Sequence, residues 1–271
     1  TNYEDTKQSF KMLDDIVNRP IERPLAKEFV KRPALRGNIE FRDVSFKYPD
    51  SDLYALKNVS FSIKEGEKVA FIGRIGSGKS TIAKLLLKLY EPESGSILID
   101  GIDISQIDPA DLRQKMSYVP QDVHLFRDTI KKNILGIHKF VDDEWMLKCS
   151  KISGTDEFVK LHPIGYDMPI GERGQGLSGG QRQSVAIARA LINNADIWLF
   201  DEPTNAMDQT SEMNVLKNLK ENLEEKTLLI VTQKMNMLDL VSRVIVMNYG
   251  EKVLDGKKED VVKKLGGVSN D

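Results

Sequence analysis

The run Gly73-Arg74-Ile75-Gly76-Ser77-Gly78-Lys79-Ser80-Thr81 constrains this chain more than any other stretch. Ahead of it, Lys68-Val69-Ala70-Phe71-Ile72 is a β-branched and apolar run of the kind that forms a buried strand. Behind it, residues 82–90 have the composition and length of a helix. Strand, glycine loop and helix is the context that the pattern G-x-x-x-x-G-K-[ST] requires. Glycines let backbone N–H groups curl around phosphate oxygens with no Cβ in the way. The helix that opens there adds free N–H donors and the positive end of its dipole. Lys79 can set a point charge on the β- and γ-phosphates, and the Ser80 hydroxyl can ligate Mg²⁺. These residues predict a nucleoside triphosphate site.

The chain has 271 residues, enough for one large domain or a core with a smaller companion. Its 30% charged and 40% hydrophobic residues are an ordinary globular balance, and a net charge of −2 gives no footprint for nucleic acid. A single cysteine, Cys149, excludes an internal disulfide and fits a reducing compartment. It lies among polar residues with no histidine partner in sequence and reads as structural. No apolar run approaches the ~20 residues of a membrane-spanning helix, and no signal peptide is evident. The chain begins at Thr1, which suggests a segment of something longer.

Residues 1–18 place Phe10, Leu13 and Val17 at helical spacing; Pro20, Pro24 and Pro33 then impose an extended, basic connector. This opening reads as the end of another element plus a linker, or as a frayed tail. From Asn38 the period is two, with Ile39, Phe41, Val44 and Phe46 alternating and Asp43 marking a turn or bulge. A polar loop at Asp50-Ser51-Asp52 separates this strand from a second, residues 56–63. An antiparallel β layer therefore precedes the glycine loop. Tyr48 at its tip offers an aromatic face for a purine, or simply packs. After the first helix come a strand at 96–99, a helix at 109–115 with Pro109 in its first turn, and a strand at 116–119 ending in Pro120-Gln121. Residues 122–176 lose the strand pattern and read as an inserted helical region. A helix at 182–192, a strand at 196–200, a helix at 209–224, a strand at 227–232, a short helix near Met237 and a hairpin through Asn248-Tyr249-Gly250 complete the chain. Alternating strands and helices predict an α/β core with a mainly parallel sheet.

Leu177-Ser178-Gly179-Gly180-Gln181 opens its helix as a second anion site by the same physics as the first, although a glycine pair before a helix is a common turn. Asp201 and Glu202 follow the apolar strand Ile197-Trp198-Leu199-Phe200. At the carboxyl end of such a strand Asp201 can hold Mg²⁺ through water, and Glu202 can orient or deprotonate an attacking water.

Residues 73–81, Gln121, 177–181, 197–202 and 205–208 resemble, in order, the motifs of an ATP-binding-cassette (ABC) nucleotide-binding domain. The likeness covers about residues 37–265. It implies a P-loop NTPase α/β core, residues 37–121 and 181–265, with the antiparallel β layer, and an α-helical subdomain at 122–180 that ends in the signature. Residues 1–36 become the tail of a transmembrane helix and its linker, and 266–271 a C-terminal tail. In that family two copies pack head to tail, ATP lying between the phosphate loop of one and the Leu-Ser-Gly-Gly-Gln segment of the other. The resemblance gives Tyr48 the adenine-stacking role, Gln121 a Mg²⁺ contact and a coupling loop, and Asp208 a contact across the dimer. Residues 170–174 and 205–208 are most similar to exporters of the type I secretion kind. A membrane partner domain, a second copy, ATP and Mg²⁺ are thereby expected, with no nucleic acid partner. The expected place is the cytoplasmic face of a bacterial inner membrane, the isolated domain being soluble.

After residues 228–232 the family places a histidine that reaches the γ-phosphate; this chain has Gln233, and His124, His138 and His162 all fall in the helical insert. An amide can donate a hydrogen bond to phosphate, but it carries no charge and shuttles no proton. The expected catalytic set is Glu202, Lys79, Gln233 and Gln121. Other readings are an exporter of lipid, drug or small peptide, a regulatory module that clamps ATP without hydrolysing it, and a DNA-repair ATPase on the same cassette. The last calls for long heptads or a basic surface, which the sequence lacks.

Overall fold

The computed structural model describes residues 2–267 except Pro20, Leu25, Ala26, Asp50, Lys139 and Glu224. Thr1, the helix breaker Pro20, Asp50 of the polar loop and residues 268–271 of the expected tail thus lie outside the described residues. Asn2–Val17 forms helix α1, and its Phe10, Leu13 and Val17 are exposed. The connector behind it runs along the core. Arg113 donates to both carboxylate oxygens of Glu22 at 2.7 and 2.6 Å, Arg23 pairs with Asp108, and Val30 bridges to Ile107.

Ile39–Lys47 (β1) pairs antiparallel with Tyr54–Ile63 (β2). The interruption expected at Asp43 is a bulge: the register shifts between Phe41 and Val44, and Asp43 takes a φ of 47°. Lys68–Ile72 (β3) leads into the glycine loop, and the helix after it is Lys79–Leu86 (α2). The sequence put that helix at 82–90. It starts inside the glycine motif because Gly78, at φ 96°, caps it, and it stops early because Lys88 takes a φ of 53°. Ser94–Ile99 (β4) begins two residues before its expected start. Ile102–Asp103 (β5), too short to show a period, closes a sheet of order β2-β1-β4-β5.

Pro109–Gln114 (α3) and Met116–Val119 (β6) follow as expected. Beyond them lie Asp128–Thr129 (β7), Ile130–Leu135 (α4), Asp143–Ile152 (α5), Thr155–Val159 (α6), Pro169–Ile170 (β8) and Gly179–Ile192 (α7). The expectation that 122–176 holds no strand needs a correction, since β7 and β8 pair antiparallel. Cys149 is structural, as its reading expected: although its neighbours along the chain are polar, it is wholly buried in the apolar cluster, because its neighbours at helical spacing on α5, Met146 and Ile152, are apolar and buried too. Burial pushes its thiol up to about 12, so it stays protonated and inert.

Ile197–Asp201 (β9), Gln209–Glu221 (α8), Thr227–Val231 (β10), Arg243–Asn248 (β11), Glu251–Lys257 (β12) and Lys258–Gly267 (α9) end the chain. Helix α8 stops short of the expected position 224, and α9 runs to Gly267, past the expected core limit at 265.

The large sheet has the order β12-β11-β3-β10-β9-β6, parallel except for the edge strand β12. Both of its faces are covered, which is why its strands read as unbroken apolar runs. Ala70, Ile72, Trp198, Phe200, Leu228 and Ile230 point to the helical side with α7, while Val69, Phe71, Leu199, Leu229 and Val231 point to α2 and the antiparallel layer. Register then sets the position of the loops. Val231 lies opposite Phe71 and Asp201, and Val119 opposite Phe200, so β3, β6, β9 and β10 end at one edge. Among the described residues, no helix is long and apolar enough to cross a membrane.

Candidate nucleotide site

Two glycines fix the shape of the loop after β3. Gly73 sits at φ 148°, and a Cβ there would lie 2.1 Å from the Met247 carbonyl oxygen; at Gly78 (φ 96°) it would lie 2.3 Å from that of Ala55. Only glycine lets these backbones approach. Arg74, Ile75 and Gly76 at the loop tip are exposed, and Ser77 is buried beneath them. Lys79, the first residue of α2, folds back so that its ammonium donates to the carbonyls of Gly73 and Arg74, each at 2.8 Å, and to Ser77 Oγ at 3.3 Å. A cation wrapped by the loop it belongs to is placed to meet phosphate oxygens at the loop's mouth. Burial lowers the Lys79 pKa from its ordinary value, with Glu202 and Asp201 opposing that shift.

Ser80 Oγ donates to Asp201 Oδ1 at 3.0 Å. A hydroxyl beside a carboxylate is the hard-oxygen pair that Mg²⁺ takes, so the residues fit that ion. Burial raises the Asp201 carboxyl to about 6, with the neighbouring Glu202 adding to it and the Ser80 hydrogen bond, Lys84 and Lys79 opposing. Among the described residues, no cluster of three or more His, Cys, Asp or Glu could hold a metal.

Glu202 has a φ of 47°, an uncommon conformation for a residue with a side chain. Its turn is held by three backbone contacts: its N–H donates to Val231 O (2.9 Å), and its carbonyl accepts from the buried Gln183 amide (3.3 Å), whose oxygen accepts from Ala206 N (2.7 Å). Thr232 Oγ1 donates weakly to Oε2 (3.4 Å), while Oε1 is buried with no hydrogen-bond partner. Such an orphaned carboxylate oxygen is an acceptor waiting for a donor. Glu202 lines a cavity of about 410 Å³ together with Ile75, Gly76, Lys79, Ser80, Gln121, Asn205, Gln233 and Lys234. Gln121 and Gln233, both exposed, are therefore brought to the same space as Lys79 and Ser80 although they lie on different strand ends.

A second cavity, about 500 Å³, lies on the other flank of the loop and is lined by Tyr48, Leu53, Tyr54, Tyr249 and residues 76–81. The Tyr48 ring is half-buried, edge-on to Phe46 and Tyr90, and its hydroxyl shares a hydrogen bond with Thr81 Oγ1 at 3.0 Å. It borders this cavity as well as packing.

The signature residues sit apart from both cavities. Ser178 caps α7 in a reciprocal box, its Oγ accepting from Gln181 N (3.2 Å) and Gln181 Oε1 accepting from Ser178 N (2.9 Å). Gly179 and Gly180 supply first-turn amides and pack on Ala206 and Met207, where a Cβ on Gly179 would come within 2.9 Å of the Ala206 Cβ. Asp208 caps α8, accepting from Ser211 N and Thr210 N at 3.0 Å each and from Ser211 Oγ at 2.7 Å, and these hydrogen bonds, those from Ser211 foremost, hold its pKa below the usual carboxylate range. Ser178, Gly180, Gln181 and Asp208 line a common pocket of about 210 Å³. Within one chain, then, two separate glycine-rich helix starts each border a cavity. Sequence reasoning named neither Gln183 nor the cluster of Thr204, Glu212 and Lys234 beneath the first of them. A buried Gln two residues past Gln181, and a Glu on the inner face of α8, are its only sequence traces.

A nucleotide-triphosphate α/β fold with a glycine-rich loop is what this geometry defines. The profile of the ABC transporter family matches residues 56–205, and the chain belongs to that family. It is 39% identical over 257 residues to the leukotoxin export ATP-binding protein LtxB of Aggregatibacter actinomycetemcomitans, covering 94% of this chain and 36% of that protein. It is 38% identical over 256 residues, with the same coverage, to the leukotoxin translocation ATP-binding protein LktB of Mannheimia glucosida. Among solved structures, a bacterial Atm1-family ABC exporter with ATP bound superposes with a TM-score of 0.86 at 32% identity, over 97% of this chain and 45% of that one. The chain thus spans about a third of the length of the curated relatives it matches.

Proposed function

We propose that this chain is the ATP-hydrolysing motor domain of an ABC exporter that moves a protein or peptide by type I secretion. The carrying observation is the single cavity that gathers Lys79, Ser80, Gln121, Glu202 and Gln233. ATP seats its phosphates in the 73–81 loop, where backbone amides and Lys79 spread the charge, and its base lies towards Tyr48. Ser80 and Asp201, with Gln121 lining the same cavity as Ser80, would hold Mg²⁺, which would supply charge neutralisation for the phosphates. Glu202 takes a proton from the attacking water through its unpartnered Oε1, the new bond forms to the γ-phosphorus, and ADP leaves. Gln233 donates an amide N–H to the γ-phosphate but moves no proton. The spare anion site at Ser178-Gly179-Gly180, with Asp208 beside it, completes the site of a second copy. Closure on two ATP molecules and reopening after hydrolysis then drives a membrane partner domain, at the cytoplasmic face of a bacterial inner membrane. The names of the leukotoxin exporters support protein as cargo.

Phosphate release by the 271-residue chain, with light scattering on the Glu202→Gln variant, tests this. The variant is expected to bind Mg-ATP, double in mass and lose at least ~100-fold in turnover. A Glu202→Gln chain that stays monomeric at saturating Mg-ATP, or retains near-normal turnover, removes the motor account.

A further inference from the structure

Beneath the Gln233 side of the cavity lies a buried polar cluster that the mechanism above does not use. Glu212, on the first turn of α8, is 5% exposed. Its Oε1 accepts from the Lys234 ammonium at 2.7 Å and from the Thr204 hydroxyl in a short contact, and its Oε2 accepts from Asn236 Nδ2 at 2.8 Å. Lys234 Nζ also donates to Thr204 O at 2.9 Å. The carboxylate therefore ties the turn after β9 to the loop after β10. It grips the first at Thr204, which precedes the cavity-lining Asn205, and the second at Lys234, which lines the cavity beside Gln233. The chain of contacts continues. Lys234 N donates to Thr232 Oγ1 at 3.0 Å, the same hydroxyl that reaches Glu202 Oε2.

The geometry points to Glu212 as a positioning residue for the hydrolysis reaction: from outside the cavity it locks the Asn205 turn and the Gln233 loop into one unit around Glu202. This inference rests on the ATPase reading for its kinetic consequence but not for its structural one. Three donors converge on one buried carboxylate, and burial alone would make that anion unfavourable; the hydrogen bonds from Lys234, Thr204 and Asn236 outweigh it and hold the group ionised. A neutral amide in its place keeps the volume but loses the charge that Lys234 needs. Since Gln233 has no charge of its own to draw it to the γ-phosphate, its loop depends on such an external hold.

Glu212→Gln and Lys234→Met test the assignment. Each is expected to lower kcat for phosphate release about tenfold or more; for Glu212→Gln, whose side chain lies outside the cavity, the Kd for Mg-ATP changes less than about twofold, because the 73–81 loop is untouched. Amide hydrogen exchange is expected to quicken at 204–207 and 232–236 and to stay unchanged at 73–86. Unaltered kcat in both variants overturns the proposal, as does a loss of kcat and ATP affinity together with faster exchange throughout the chain, which marks ordinary destabilisation. A wild-type chain that binds ATP and releases no phosphate sinks the ATPase reading instead; the exchange pattern then decides the Glu212 assignment alone.

Discussion

Ser80 and Asp201 stand 121 residues apart in sequence, yet the hydroxyl of one donates to the carboxylate of the other at 3.0 Å. The contact is a product of strand order. Strands β3 and β9 flank β10 in register, so the helix that follows the first and the acid that ends the second meet at the same sheet edge.

That meeting has a pH signature. The Asp201 carboxyl is raised by burial to about 6 in the fold, against ~3.9 in an unfolded chain. Because the folded value is the higher one, this group's contribution to stability is fully present below about pH 4 and is lost as pH rises through about 6. The shift amounts to roughly 3 kcal/mol at most. Without nucleotide or divalent cation, Asp201→Asn is expected to melt a few degrees above wild type at pH 7.5 and to match it near pH 4. With Mg-ATP the order reverses at pH 7.5, since the variant has lost the charge that faces the ion. A variant melting below wild type at pH 7.5 without ligand contradicts the burial argument.

The two glycines of the loop that differ most in surroundings make a paired prediction. A Cβ at Gly73 meets the Met247 carbonyl, part of strand β11, which cannot step aside; at Gly76 (φ 76°) nothing lies within 4 Å. Gly73→Ala is expected to cost about 2–4 kcal/mol from overlap and backbone strain combined, and Gly76→Ala about 1–2 from strain alone. Urea unfolding measures both. Equal losses would show that the close approach at Gly73 is not a constraint.

Much of this was legible in the sequence for a physical reason. Strands covered on both faces leave apolar runs too plain to miss, and a loop that must wrap phosphate restricts its residues to glycine, lysine and a hydroxyl. The β layer showed its period of two, down to the bulge at Asp43. What escaped was set by tertiary contact. The cap at Gly78 moved the start of α2 into the motif, and β7 and β8 exist only because Asp128 and Thr129 meet Ile170 and Pro169, far along the chain. Cys149 was read as structural and is, but its burial among apolar neighbours shows only on the helix, not along the chain. Gln183 and Glu212 work by supporting backbone turns, and nothing in their local pattern announces that.

Gln233 gives a prediction with a gain rather than a loss. It lines the cavity with Lys79 and Glu202 and is exposed, so an imidazole fits the space without repacking a core. Gln233→His adds a group that can carry charge near neutral pH. Turnover is expected to rise about tenfold or more, and its pH profile to gain a limb between about 6 and 7. Steady-state phosphate release across pH 5.5–8.5 reads both; an unchanged rate shows that the amide already supplies all the site needs.

The signature helix allows a test of whether two copies share each site. Aspartate is as good a helix cap as serine, and its charge suits a helix N-terminus. Ser178→Asp should therefore keep the cap now made to Gln181 N, and with it the melting temperature within a degree or two. The same charge repels a triphosphate offered by a second molecule, so turnover should fall at least ~100-fold while ATP still binds the 73–81 loop. Lys79→Ala should fail in the converse way, with an intact signature and a disabled loop. Mixed together, the two inactive chains can form one complete site, from the loop of the first and the signature of the second. Recovered phosphate release in the mixture, scaling with the product of the two concentrations, is the expected result. Silence in the mixture at concentrations where wild type is active would mean that the two mouths do not meet across a pair of molecules.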